Sequence, residues 1–383
     1  MKKIIISFCI LSAAFSFTSC KKGTSNNYAV PTTYNFSNVN DTNQVKLLLM
    51  ADQIVAAINL GNAAGGVPVS TQKLTDMFNN VNGYFNDSSL SLNASGISLA
   101  SYCPAAAKTD ILNYFDSIGV YSQSVVVGDS GVAGVAVSPI TSKKLLLSPN
   151  GIFYSQVVKK TIMGILSYEI ANVYLTDSVS NTVDNTTVIA GSGTAMEHHW
   201  DEAFGLFGVP INFPTVTTGA KYLASYSTQV DAGLHSNATI MNAFLKGRAA
   251  ISNKDLGTKQ AQANIIIATL DQLDAAAIVQ EMHETESDLN SGDVIGAYGT
   301  LSESIGFVRN LKYNTSSTRI ITDAQIAQLE ALYDSVNPGN PNLYAFVGVN
   351  AGLTTAQVEI KTQAIAQFIG GIYGFNSTEL GLL

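Results

Sequence analysis

The chain has 383 residues, of which 46% are hydrophobic and 13% charged, and its formal net charge is −8. An acidic balance with scattered lysines and no basic run excludes a nucleic-acid partner. Three cysteines are too few for a disulfide framework, so a chain of this length must be held by one large core or by two.

The first twenty residues, MKKIIISFCILSAAFSFTSC, combine two lysines, an apolar stretch from Ile4 to about Phe17 and small residues before Cys20. This is the pattern of a secretory signal segment, too short to span a bilayer. Residues 1–19 are therefore expected to be removed. Phe17-Thr18-Ser19-Cys20 is similar to a bacterial lipobox, with phenylalanine where leucine is usual, and implies a lipid on Cys20 that tethers the chain to a membrane. Loss of Lys2 and Lys3 takes the formal charge from −8 to −10. Lysines rather than acids follow Cys20, which favours the periplasmic face of the outer membrane. Cys103 is then the one remaining thiol, and without a histidine nearby in sequence it reads as a buried, inert side chain.

Residues 20–41, rich in Asn, Thr and Ser, read as a tether. Helical spacing begins at Asp41 or Thr42 and stops at Gly61, resumes after Ser70, and returns from Pro104 to Gly119. Residues 125–151 are rich in valine, glycine and turn residues and predict one or two short hairpins. The stretch from Ile152 to Leu175 is apolar on several faces, which predicts a central helix. No second apolar stretch is expected to be long enough to cross a bilayer.

A polar loop then leads to a helix opened by Thr194 and ended by Gly205 and Gly208, with Pro210 and Pro214 marking a boundary. Further helices are predicted over residues 236–251, 259–289, 293–313, 323–336 and 354–374. In the longest, Ile266, Leu270, Leu273 and Ala277 form a core-facing stripe. The expected fold is mostly α: an N-terminal bundle over 42–208 with the β-hairpin excursion, packed on a C-terminal bundle over 209–383.

The chemistry concentrates in Glu197-His198-His199-Trp200-Asp201-Glu202, which holds two of the four histidines. On a helix His199 and Glu202 share a face, as do His198 and Asp201, and Glu197 and Asp201 share another. An imidazole and a carboxylate one turn apart make half of a metal site suited to iron or zinc. Glu169, His235, Glu281, His283 and Glu303 are available to complete it. The run lacks the two histidines four apart of the zincins. The competing readings are a solvated face with weak ion pairs and a buried structural network. Trp200, Phe204, Leu206 and Phe207 demand burial, which argues against the solvated face.

Downstream, Lys246 and Arg248 flank Gly247 in an apolar helix, where a buried arginine would pair with the acids of the run or meet an anion. Glu303 and Arg309 on a later helix are further candidates. No phosphate-binding loop or GxSxG elbow is present.

The segments GTAMEHHWDEAFGLFGVPINFP, NAFLKGRAAISNKD and YAVPTTYNF resemble a Bacteroidetes lipoprotein family catalogued as domain of unknown function 4856, over nearly the whole mature chain. That family in turn resembles the imelysin-like periplasmic proteins, whose hallmark is GxHxxE. His199 and Glu202 match its histidine and glutamate, while Glu197 stands in place of the glycine. The resemblance implies two helical bundles, the motif in a groove between them, and a role near iron or haem acquisition alongside an outer-membrane receptor.

The expected function is thus a lipid-anchored binding protein of an iron or haem uptake system, with the metal or its carrier held at His199 and Glu202. Glu197, His198, Asp201, Lys246, Arg248, Glu303 and Arg309 would support the site. The alternatives are a metal-dependent hydrolase with Glu202 or Glu197 as general base and a structural adaptor without catalysis.

Overall fold

A first helix, α1 (Thr42–Asn59), turns Leu47, Met50, Ala51, Ile54 and Ile58 toward the interior at helical spacing. The computed structural model to which it belongs describes residues 28–87, 90–175, 182–316, 318–348 and 352–383. With the 3₁₀ turn that follows it, α1 is long and apolar enough to cross a membrane, contrary to the sequence expectation. Its apolar side is instead packed in the protein core.

Ser70 caps α2 (Thr71–Asn79) by accepting from the Lys73 N–H. Helix α3 (Ala105–Tyr121) starts after Pro104 but runs through Gly119, the expected stop. A Cβ at Gly119 would lie 2.1 Å from the Thr71 hydroxyl, so this glycine permits close approach of α2 and does not end the helix. The valine-rich excursion forms one antiparallel hairpin, β1 (Gly134–Val137) with β2 (Lys144–Leu147), Gly134 lying opposite Leu147. The Ser138 hydroxyl just beyond β1 donates to Asp293 at 2.5 Å, tying the hairpin to the bundle.

Helix α4 (Tyr154–Tyr168) is buried on nearly every face, as its all-round apolar sequence predicts. It widens into a π-helical turn, Glu169–Tyr174, in which the Leu175 N–H bonds the Ile170 carbonyl at 3.0 Å. The motif helix α5 (Ala195–Phe207) ends at Gly208 with φ 81°, a left-handed cap open to glycine. Two short helices follow, α6 (Leu223–Gln229) and α7 (Asp231–Leu234), then α8 (Ser236–Ser252).

The pillar of the molecule is α9 (Leu256–Ser291), 36 residues long and therefore roughly 54 Å at about 1.5 Å per residue. Its stripe of Ile266, Leu270, Leu273 and Ala277 is buried. Helices α8, α10 (Val294–Asn310) and α13 (Thr355–Tyr373) pack along it, and α4 packs on α10. Helix α11 (Asp323–Tyr333) lies against α10 and α13, while α12 (Leu343–Val347) and α14 (Ser377–Leu382) complete the C-terminal part.

Among the described residues the fold is mostly α with one small hairpin. The core is continuous across the boundary expected after residue 208: the Phe244 ring of α8 lies 5.5 Å from Phe204 and 5.9 Å from Phe207 of α5. The tether expected up to residue 41 is corrected as well. Tyr34 is 1% exposed, stacks on Phe204 at 3.6 Å and donates its backbone N–H to Ile211 O at 2.8 Å. Burial of an aromatic ring outweighs the loop-like composition around it. The signal segment and Cys20 lie outside the described residues.

Candidate functional site

Thr194 opens α5 with a reciprocal cap. Its hydroxyl accepts from the Glu197 N–H at 3.2 Å, and the Glu197 carboxylate accepts from the Thr194 N–H at 2.9 Å. One turn on, Trp200 is fully buried and its indole N–H donates to Phe244 O at 3.0 Å. Gly247 of α8 makes room for that ring, since a Cβ there would lie 2.0 Å from Trp200 Cζ2. The tight crossing of α5 and α8 brings Arg248 onto the acids of the motif.

Arg248 is 1% exposed. Its Nε donates to Asp201 Oδ1 at 2.8 Å and its Nη1 to Glu197 Oε1 at 2.7 Å, while Nη2 meets Ser37 O at 3.3 Å. The guanidinium lies over Phe36, 5.2 Å from the ring centre. Asp201 also accepts from Tyr34 Oη at 2.7 Å, and Glu197 from the Ser252 hydroxyl at 2.7 Å. Burial pushes Asp201 up to about 6 against the pull of Arg248. Burial also opposes ionisation of Glu197, but hydrogen bonds from Thr194 and Ser252 together with Arg248 hold it below its usual range. Together the contacts of Arg248, Tyr34 and Ser252 fasten α5 to the segment around residues 34–37 and to α8. With three hydrogen bonds on its carboxylate, Glu197 is committed to the scaffold.

The other side of α5 is different. The His198 and Glu202 side chains are 32% and 13% exposed, with His198 Nε2 at 3.7 Å from Glu202 Oε1. Gln44 of α1 donates to Glu202 at 3.0 Å and to Tyr174 Oη at 3.3 Å. The His199 ring lies 6.0 Å from that of Tyr174. Behind them, on the π turn, Glu169 is pushed up to about 7 by burial and by the Glu202 charge, and burial likewise raises Tyr102. His198 Nδ1 is buried and has no hydrogen-bond partner among the described residues. The arrangement is a half-buried polar face made by α1, the π turn and α5, able to exchange a proton or present an imidazole and a carboxylate to a ligand.

Metal fit can be judged from the donors. Among the described residues no three His, Cys, Asp or Glu side chains converge in a metal-holding arrangement. Glu197 and Asp201 are engaged by Arg248, so this face supplies an incomplete set.

The remaining candidates are dispersed. Lys246 is exposed on α8. Glu303 belongs to a separate buried cluster, where its carboxylate meets Lys160 Nζ at 2.6 Å. Arg309 donates to Tyr114 Oη at 2.6 Å and to Gly339 O at 2.8 Å, far along the chain from the motif. His235 is exposed and His283 half-buried. Reading the sequence missed Tyr34, Gln44, Tyr102 and Tyr174, whose residue types carry no spacing signal. It also missed Lys160, although two lysines in an otherwise apolar central helix are such a signal.

A family model described as a domain of unknown function, DUF4856, matches residues 31–372. The chain belongs to the DUF4856 family. The matched span runs from before Tyr34 to the last turn of α13, so the Arg248 network and the π-turn face both lie within the family domain. No curated protein and no solved structure matches the chain.

Proposed function

We propose that this DUF4856 protein is a lipid-anchored binding protein at the periplasmic face of the outer membrane, serving an iron or haem uptake system. The observation that carries the reading is the His198–Glu202 pair, half-open beside a Glu169 carboxyl that burial and Glu202 keep near neutrality. A partly desolvated acid and imidazole side by side gain from meeting a cation. Because the face offers too few donors to enclose a bare ion, the metal arrives with ligands of its own, as haem or a chelate. His199, one turn before Glu202, shares this side of the helix. The remaining acids of the motif act as scaffold, which favours a structural role for Glu197 and Asp201.

The test is calorimetric titration of the lipid-free protein, beginning at Lys21, with haem, ferric nitrilotriacetate and Zn(II). A His198→Ala/His199→Ala/Glu202→Ala variant runs alongside. Binding near one equivalent that disappears in a variant of unchanged thermal stability supports the reading. Absence of binding to all three probes, or binding that survives in the variant, overturns it.

A further inference from the structure

Helix α4 carries adjacent lysines, and their surroundings differ. Lys160 is fully buried. Its ammonium lies 2.6 Å from Glu303 and 2.5 Å from the Tyr226 hydroxyl, and 4.3 Å from the centre of the Tyr226 ring. Tyr226 Oη in turn sits 3.0 Å from Glu281. Burial and the neighbouring Glu303 charge push Glu281 well above its usual range, whereas Lys160, the Tyr226 hydrogen bond and the Lys159 charge together outweigh burial and hold Glu303 below its own. The direct ion pair of this cluster is thus Lys160 with Glu303.

Lys159 has no such partner. Among the described residues no carboxylate lies within ion-pair distance of it. It lines a cleft of about 340 Å³ between α1, α4 and the start of α6, with Asp52, Lys221, Tyr222, Ser225 and Tyr226. The one acid on that wall, Asp52, is taken by Lys221. The cleft thus presents the Lys159 ammonium without a direct ion-pair partner, with Glu303, Glu281 and Asp52 acting on it only at longer range. Burial, then the Lys160 charge, pushes the Lys159 ammonium below its usual range against the opposing pull of Glu303, Glu281 and Asp52. The volume falls in the range of small-molecule sites, roughly 300–1,000 Å³.

We propose that this cleft binds a small anion, a carboxylate or phosphate, through the Lys159 ammonium beside the Ser225 hydroxyl. The site is independent of the α5 face. A negative group there satisfies Lys159 and leaves the Lys221–Asp52 pair intact across the wall. Citrate, succinate and inorganic phosphate are the probes.

Each probe is titrated calorimetrically into the purified metal-free protein and into Lys159→Met, Lys159→Arg and Lys108→Met variants, the last changing an exposed lysine of α3. At least one probe should bind near one equivalent, weaken at least tenfold in Lys159→Met, recover in Lys159→Arg and be unchanged in Lys108→Met. Without probe, Lys159→Met should melt no lower than the parent, because an unpaired cation has been removed. Absence of binding by all three probes, or equal binding by parent and Lys159→Met, overturns the proposal. The His198→Ala/His199→Ala/Glu202→Ala variant should retain anion binding, so failure at one site is read separately from failure at the other.

Discussion

Arg248 on α8 holds Asp201 on α5 at 2.8 Å with both side chains essentially out of solvent. A buried pair of this kind is costly to assemble, but breaking it by removing one partner leaves a stranded charge, which costs more. The contact divides the motif helix into a side that fastens and a side that faces outward.

Replacing Arg248 by Met should destabilise the protein by about 3–5 kcal/mol, the cost of leaving buried acids unpaired. The double variant Arg248→Met/Asp201→Asn should lose less than the sum of the single changes. Denaturant unfolding followed by the fluorescence of Trp200, the only tryptophan, measures both. Additive losses would show that the two residues are not coupled.

Gly247→Ala tests the crossing of α5 and α8. Its methyl would fall 2.0 Å from Trp200 Cζ2, and overpacking of this kind costs typically about 1–3 kcal/mol. The variant should melt lower, with Trp200 emission shifted toward that of an exposed indole. An unchanged melting temperature would mean that the helices can separate freely.

Stability should fall as pH rises from about 4 to 8 through Asp274. Burial and the neighbouring Asp271 charge push its carboxyl up to about 8. Between the unfolded value of 3.8 and that point the unfolded chain ionises while the folded chain keeps its proton, so the folded state loses ground. Asp274→Asn should match the parent near pH 4 and exceed it at pH 8 by on the order of a few kcal/mol. Stability curves of the two proteins against pH give the comparison, and parallel curves would contradict it.

Cys103 should resist modification. Burial pushes its thiol up to about 12, leaving little thiolate at neutral pH. Ellman's reagent at pH 8 should react slowly with the folded protein and rapidly in denaturant. Fast reaction of the folded form would place the thiol in a reactive setting.

Helix-level organisation was largely legible. The all-round apolar character of α4, the stripe on α9, the Thr194 cap and the Gly208 stop each express a local rule of spacing or backbone conformation. Gly119 was misread because a glycine needed for close packing and one that ends a helix look alike in one dimension. The tether was misread from Tyr34 onward because composition averages over residues, whereas one ring stacked on Phe204 is enough to anchor a segment.

The sequence by itself determined the helical class, the place of the β excursion and the position of the ionisable run, because these depend on residues close together along the chain. Only the tertiary structure decided which members of that run face inward. Arg248 and Asp201 are separated by 47 positions, and Lys160 and Glu303 sit on different helices. Charge pairing in a core depends on distance and desolvation, and both are properties of packed helices, absent from the order of residues along the chain.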